Sequence, residues 1–247
     1  MTGRSRMPAD VAAALGLLGA GGALSALVIS RRTREAVHRV DLRWYELVQR
    51  SRSAKLDAAS RTLDVAFGTT IDWSVRIAVT ADLLWRRRWV ALGGWVATVA
   101  LGEVSVGPLK GAVNRIRPPE PMTMTSMMSY PSGHALAAAT TAPGIVIALL
   151  PPGPRRRRWL AVAIPLAGAT ALSRTDLNAH WLSDVVGGWA LGTGYALAAP
   201  RAAELVGRRW ARATTERSGR TGRPAVLRFS GRAGPGTRRR RRPARAG

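Results

Sequence analysis

The sequence contains no cysteine, which excludes a disulfide framework and any thiolate metal site. Histidine is scarce as well. His38, His134 and His180 are too few for most imidazole metal sites, so the starting expectation is chemistry without metal or cofactor. Acidic residues number 14 against 38 Lys and Arg, a formal net charge of +24. Lysine itself is nearly missing, with only Lys55 and Lys110 among the arginines. Such a balance ordinarily points to nucleic acid. Its distribution argues otherwise, because much of the basic charge follows Pro200 and most of the rest borders apolar runs. That is the pattern of a membrane protein whose arginines mark loops and meet anionic headgroups. Membrane lipids are therefore the expected partners and nucleic acid is not; nothing in the sequence speaks to oligomeric state.

A helical span needs about 20 mainly apolar residues. Val11 to Ile29 carries no charge and qualifies. It follows Arg4 and Arg6, so a cleaved signal peptide is the alternative, although the run exceeds a usual signal core. Residues 33–52 differ: Val37, Val40, Trp44 and Val48 share one helical face, with Arg39, Arg43, Glu46 and Arg50 on the other. This predicts an amphipathic helix, lying in the membrane interface or packed on the bundle as a connector. The run 63–85 is interrupted by Asp64, Asp72, Arg76 and Asp82. Asp72 and Arg76, four apart, read as a buried structural pair. Further runs follow at 89–109, 134–151, 159–173 and 181–200. The fifth run is short, which sets Arg174 at or just below the membrane surface. Gly187, Gly188, Gly192 and Gly194 predict close helix packing in the last run. The expected architecture is an all-α, polytopic membrane helical bundle of six spans plus the interfacial amphipathic helix. Its parts are an N-terminal region 1–62, a core 63–200 and a disordered Arg-rich tail 201–247.

Three span ends hold residues that are poor filler. KGAVNRIRP places Lys110 and Arg117 after the third span, YPSGHALAA opens the fourth with Ser132, Gly133 and His134, and SRTDLNAHWLSD links the fifth and sixth. In a six-span bundle all three junctions lie on one side. Lys110, Arg117 and Arg174 then supply fixed positive charge, and the Arg fork suits phosphate oxygens. Ser132 and Gly133 precede a helix whose first N–H groups favour an anion; the plainer role of Ser132 is an N-cap. His180 and Asp184, four apart, allow the carboxylate to fix one imidazole nitrogen and leave the other as a nucleophile. His134 is placed to protonate a leaving oxygen.

Lys110-x6-Arg117-Pro118, Pro131-Ser132-Gly133-His134 and Ser173-Arg174-x5-His180-x3-Asp184 resemble the three signature motifs of the type 2 phosphatidic acid phosphatase superfamily. That family takes in membrane lipid phosphatases, polyprenyl diphosphatases and vanadium haloperoxidases. The resemblance covers roughly 85–200. It implies that His180 attacks phosphorus to form a phosphohistidine, with Asp184 orienting it. It further implies that His134 protonates the departing oxygen and then activates water. Lys110, Arg117, Ser132, Gly133 and Arg174 would hold the phosphate, and no metal is needed. The chain departs from the pattern at Asp176, where many relatives carry a bulky aromatic, and at Asn178, where a small residue is common.

The resemblance implies an integral membrane hydrolase acting on a polyprenyl diphosphate or a phosphatidic-acid-like lipid. The same site fits a lipid phosphotransferase, which differs only in the acceptor. A haloperoxidase is disfavoured by the spans, and the non-enzymatic alternative is a basic anchor binding anionic lipid. The Met-rich stretch MTMTSMM, 122–128, reads as an interfacial loop. Arginine placement and the resemblance together set the active site outside the cell and the tail in the cytoplasm.

Overall fold

The computed structural model describes residues 8–123 and 128–221, the side chains of 216–221 apart. The described residues form α1 (Ala9–Ile29), α2 (Arg34–Arg50), α3 (Ala54–Ala66), α4 (Thr69–Trp85), α5 (Trp89–Val113), α6 (Gly133–Leu149), α7 (Pro154–Asp176) and α8 (Leu182–Thr221). The all-α expectation holds. Two of these helices, α1 and α5, are long and apolar enough to cross a membrane, and α6 is a shorter apolar helix. Both long helices turn apolar side chains outward: Leu15, Leu27 and Ile29 on α1, Val96, Leu101 and Val104 on α5 are exposed. An uncharged surface of that kind is stable against hydrocarbon and costly against water.

The run 63–85 is not one helix. The chain breaks at Phe67-Gly68, where Gly68 begins α4 in an extended conformation. A Cβ there would stand 3.0 Å from the carbonyl oxygen of Asp64 and 3.1 Å from that of Val65, so a side chain would crowd the end of α3 at this turn. The break frees α3, a helix the apolar pattern did not predict, with Ser53 as its N-cap.

The amphipathic helix at 33–52 is α2, and it packs on the end of the bundle. Its Trp44 indole donates to Thr175 at 3.1 Å, and Gln49 donates to Asn178 at 2.7 Å. Arg39, Arg43, Glu46 and Arg50 face outward as expected, but Val40 is exposed and Asp41 takes its place on the buried side. The pairing of Asp41, described below, is the reason.

Asp72 and Arg76 form the expected buried pair, Oδ2 to Nε at 2.7 Å, on α4. Arg76 also reaches Glu103 on α5 and the hydroxyls of Thr140 and Thr141 on α6, so the desolvated cation is fully partnered and joins three helices. Close packing of α8 follows from its glycines. A Cβ at Gly188 would stand 2.8 Å from the Ser132 carbonyl oxygen, and one at Gly192 2.6 Å from that of Leu136. The α8 backbone thus lies directly against the first turns of α6.

The chain divides into two compact units, Met1–Gly207 and Arg208–Gly247. Helix α8 runs through Arg201 as far as Thr221, where the sequence predicts an irregular tail; Arg201 pairs with Glu204 one turn on and with Asp10 of α1. The rest of the tail, 222–247, and residues 124–127 of the Met-rich stretch lie outside the described residues.

Candidate active site

The three predicted junctions meet at one end of the bundle. The first begins where Asn114, at φ +43°, ends α5 in the left-handed conformation. The chain then turns so that Lys110 Nζ and Arg117 Nη2 each donate to the carbonyl of Met128 at 3.0 Å. Ser132 caps α6, its hydroxyl accepting from Ala135 N at 3.3 Å. The hydroxyl is wholly buried in this plainer role. Beside it, a Cβ on Gly133 would meet nothing within 4 Å, so the start of α6 is open on that side. An anion can approach there, where first-turn N–H groups lack helical acceptors.

The third junction is a tight reversal. Ala179 N and His180 N donate to the Arg174 carbonyl at 3.0 and 3.2 Å, and Asn178 sits between at φ +52°. Asn is among the few residues that tolerate this left-handed conformation, which accounts for it where a small residue is common. Its amide also bonds outward, to Gln49 and to the Glu120 carbonyl. Asp176 is different. Both its carboxylate oxygens are buried with no hydrogen-bond partner among the described residues, and nothing in the structure explains this.

His180 is nearly inaccessible. Its Nε2 lies 2.9 Å from Arg117 Nη1. A guanidinium only donates, so Nε2 carries the lone pair and Nδ1 the proton. Nδ1 faces Asp184 Oδ2 at 3.5 Å, an ion-pair distance rather than a hydrogen bond. Burial pushes the imidazole down to about 4, against the upward pull of Asp184. The ring is therefore neutral near pH 7.

Asp184 is held from every side. It accepts from Trp181 N at 2.8 Å, from the Ser129 hydroxyl and from Arg115 Nη1 at 3.1 Å. Arg115 in turn donates to Asp41 Oδ2 at 2.7 Å, and Asp41 accepts from both N and Oγ of Ser183. The result is a buried chain of alternating charge, Asp41–Arg115–Asp184, ending on the His180 ring. Arg174 is buried too, with Nη1 on Asp64 and Nε without a hydrogen-bond partner among the described residues. His134 Nε2 lies 3.4 Å from the same Asp64 oxygen. Among the described residues no group of three or more His, Asp or Glu side chains is arranged to hold a metal ion.

All eight sequence-predicted positions thus lie at this end: His134, His180, Asp184, Lys110, Arg117, Ser132, Gly133 and Arg174. Asp41, Asp64, Arg115 and Ser129 join them without having been singled out. Two signals were available. Asp41 falls on the buried helical stripe 37, 41, 44, 48, and Asp64 is an ionisable residue in an apolar run, which is functional by default.

Fold and site together define a helical bundle with a cluster of histidine, carboxylate and basic side chains at one end. Residues 91–207, just under half of the chain, match the model of the PAP2 superfamily. Undecaprenyl-diphosphatase of Sulfolobus acidocaldarius is 34% identical over 132 residues, 48% of this chain and 59% of that protein. Phosphatidylglycerophosphatase B of Bacillus subtilis is 35% identical over 89 residues, 34% of this chain and 44% of that protein. The match thus spans less than two thirds of either curated relative. Among solved structures, the transmembrane PAP2 type phosphatidylglycerolphosphate phosphatase from Bacillus subtilis superposes with a TM-score of 0.66 at 21% identity, over 78% of this chain and 96% of that one. Aquifex aeolicus LpxE gives 0.53 at 19% identity, over 65% and 94%. These two share the fold.

Proposed function

We propose that this chain is an integral membrane lipid phosphatase that hydrolyses a phosphate monoester or diphosphate through a phosphohistidine on His180. The observation that carries the reading is the setting of the His180 ring. Its Nε2 lone pair meets the Arg117 guanidinium, and Asp184 lies behind its Nδ1–H.

Nε2 attacks phosphorus while the bond to the leaving oxygen breaks, and His134, which enters the step as the imidazolium that the neighbouring Asp64 carboxylate favours, gives that oxygen its proton. As the ring becomes cationic, Asp184 stabilises it, and Arg115 with Asp41 keeps the carboxylate in place. Lys110, Arg117, Arg174 and the α6 terminus neutralise charge on the equatorial oxygens. His134, now neutral, takes a proton from water; the water oxygen bonds to phosphorus and the Nε2–P bond breaks. No step requires a metal. The names of the curated relatives favour a lipid diphosphate or a glycerophospholipid monoester as substrate. The proposed topology is six crossings, by α1, α4, α5, α6, α7 and α8, with the site outside and the tail in the cytoplasm.

The test is phosphate release by the purified protein from micelles of phosphatidic acid, phosphatidylglycerophosphate or a polyprenyl diphosphate. Release is expected in EDTA, with inhibition by vanadate, and His180→Ala should lower it by at least about 1000-fold. Hydrolysis by His180→Ala at the unaltered rate, or a strict Mg²⁺ requirement, would overturn the proposal.

A further inference from the structure

Asp64 belongs to α3, outside the three motif segments, yet its carboxylate is the anion that two site residues face. Oδ1 meets Arg174 Nη1 and lies 3.4 Å from His134 Nε2, and Oδ2 accepts from Thr123 Oγ1 at 2.9 Å. The charged groups acting on the His134 ring are Asp64 from α3, Arg174 from α7 and Arg117 from the segment after α5. Burial and the two cations oppose an imidazolium there, and among the described residues Asp64 is the group that favours one.

This matters unequally for the two classes of leaving group. A monoester expels an alcohol oxygen, a strong base that departs only as it gains the His134 proton. A diphosphate expels a lipid phosphate, already stable as an anion and largely independent of a general acid. That second phosphate also brings negative charge next to the Asp64 carboxylate, and like charges a few ångströms apart repel strongly in a partly buried site. Both effects act in the same direction.

Building on the lipid phosphatase reading, we infer that Asp64 is a specificity-determining residue that biases this site toward phosphomonoesters of membrane lipids and against lipid diphosphates. It acts through His134, as a positioning residue, and through charge exclusion.

The experiment compares kcat and KM of the full chain, Asp64→Asn and Asp64→Glu on phosphatidic acid and on a polyprenyl diphosphate in the same micelles. Asp64→Asn should lower kcat on phosphatidic acid by about 10-fold or more, the low end of what a general acid supplies. On the diphosphate kcat/KM should hold or rise, so the ratio moves at least about 10-fold, and Asp64→Glu should restore part of the monoester rate. Asp64→Ser, also neutral, carries the same comparison if Asp64→Asn does not fold. A parallel fall on both substrates would overturn the inference, marking Asp64 as structural. So would a lower KM on both at unchanged kcat, marking it as a competitor for Arg174. Failure of the underlying reading looks different: an inactive wild type, or an active His180→Ala.

Discussion

Burial keeps the His180 ring neutral in the folded chain down to about pH 4, while in the unfolded chain it takes up a proton near its ordinary value of 6.5. Between those values the unfolded state binds more protons, so stability falls as pH falls, by about 1.4 kcal/mol per unit and about 3 kcal/mol in all. Denaturation in detergent should show a shallower slope for His180→Asn than for the wild type; identical slopes would refute the assignment. The pairing of His180 with Asp184 was readable from the sequence because their i, i+4 spacing is local. Arg115 and Asp41 were not, because the bonds joining them to Asp184 run between segments far apart in the chain. Asn178 was visible only as an oddity, since a left-handed φ leaves no periodic trace.

At the scale of elements, the contact between α6 and α8 fixes the distance between the halves of the site, because Ser132 and His134 open α6 while Asp184 opens α8. Gly192→Ala inserts a methyl 2.6 Å from the Leu136 carbonyl oxygen. It should cost about 1–3 kcal/mol of stability and lower turnover. Gly93→Ala is the control: its Cβ meets nothing within 4 Å, so helix propensity should make it neutral or stabilising by up to about 1 kcal/mol. Thermal melts of the two variants check this, and equal shifts would count against close packing as the reason for glycine at 192. The glycine spacing in α8 announced itself in the sequence. The division of 63–85 into α3 and α4 did not, because a single glycine in an apolar run reads equally well as a packing residue or as a break.

On the whole molecule, the basic charge is divided between the bundle and the segment that follows it. Deleting 222–247 should leave lipid phosphate turnover within about 2-fold, whereas a basic anchor without enzymatic activity would lose salt-sensitive lipid binding. Reporter fusions after Thr221 should read cytoplasmic; an external reading would reverse the proposed topology. The order of the apolar helices was largely legible, since apolar runs and their charged borders mark them in the sequence. Which helices contribute to the site was not, because that depends on how α2 and α3 fold back over the bundle end.

The two acidic residues that α2 and α3 bring to the site, Asp41 and Asp64, both precede the matched segment 91–207. In the proposed reading, bond-breaking machinery and its tuning are thereby encoded in separate stretches of one gene. A lineage that drifts or recombines in its first 68 codons can change which headgroup it trims while the signature motifs stay untouched. Two chains with indistinguishable motifs can then serve different lipids, and an exchange of N-terminal halves between relatives is the natural way to move that preference from one to another.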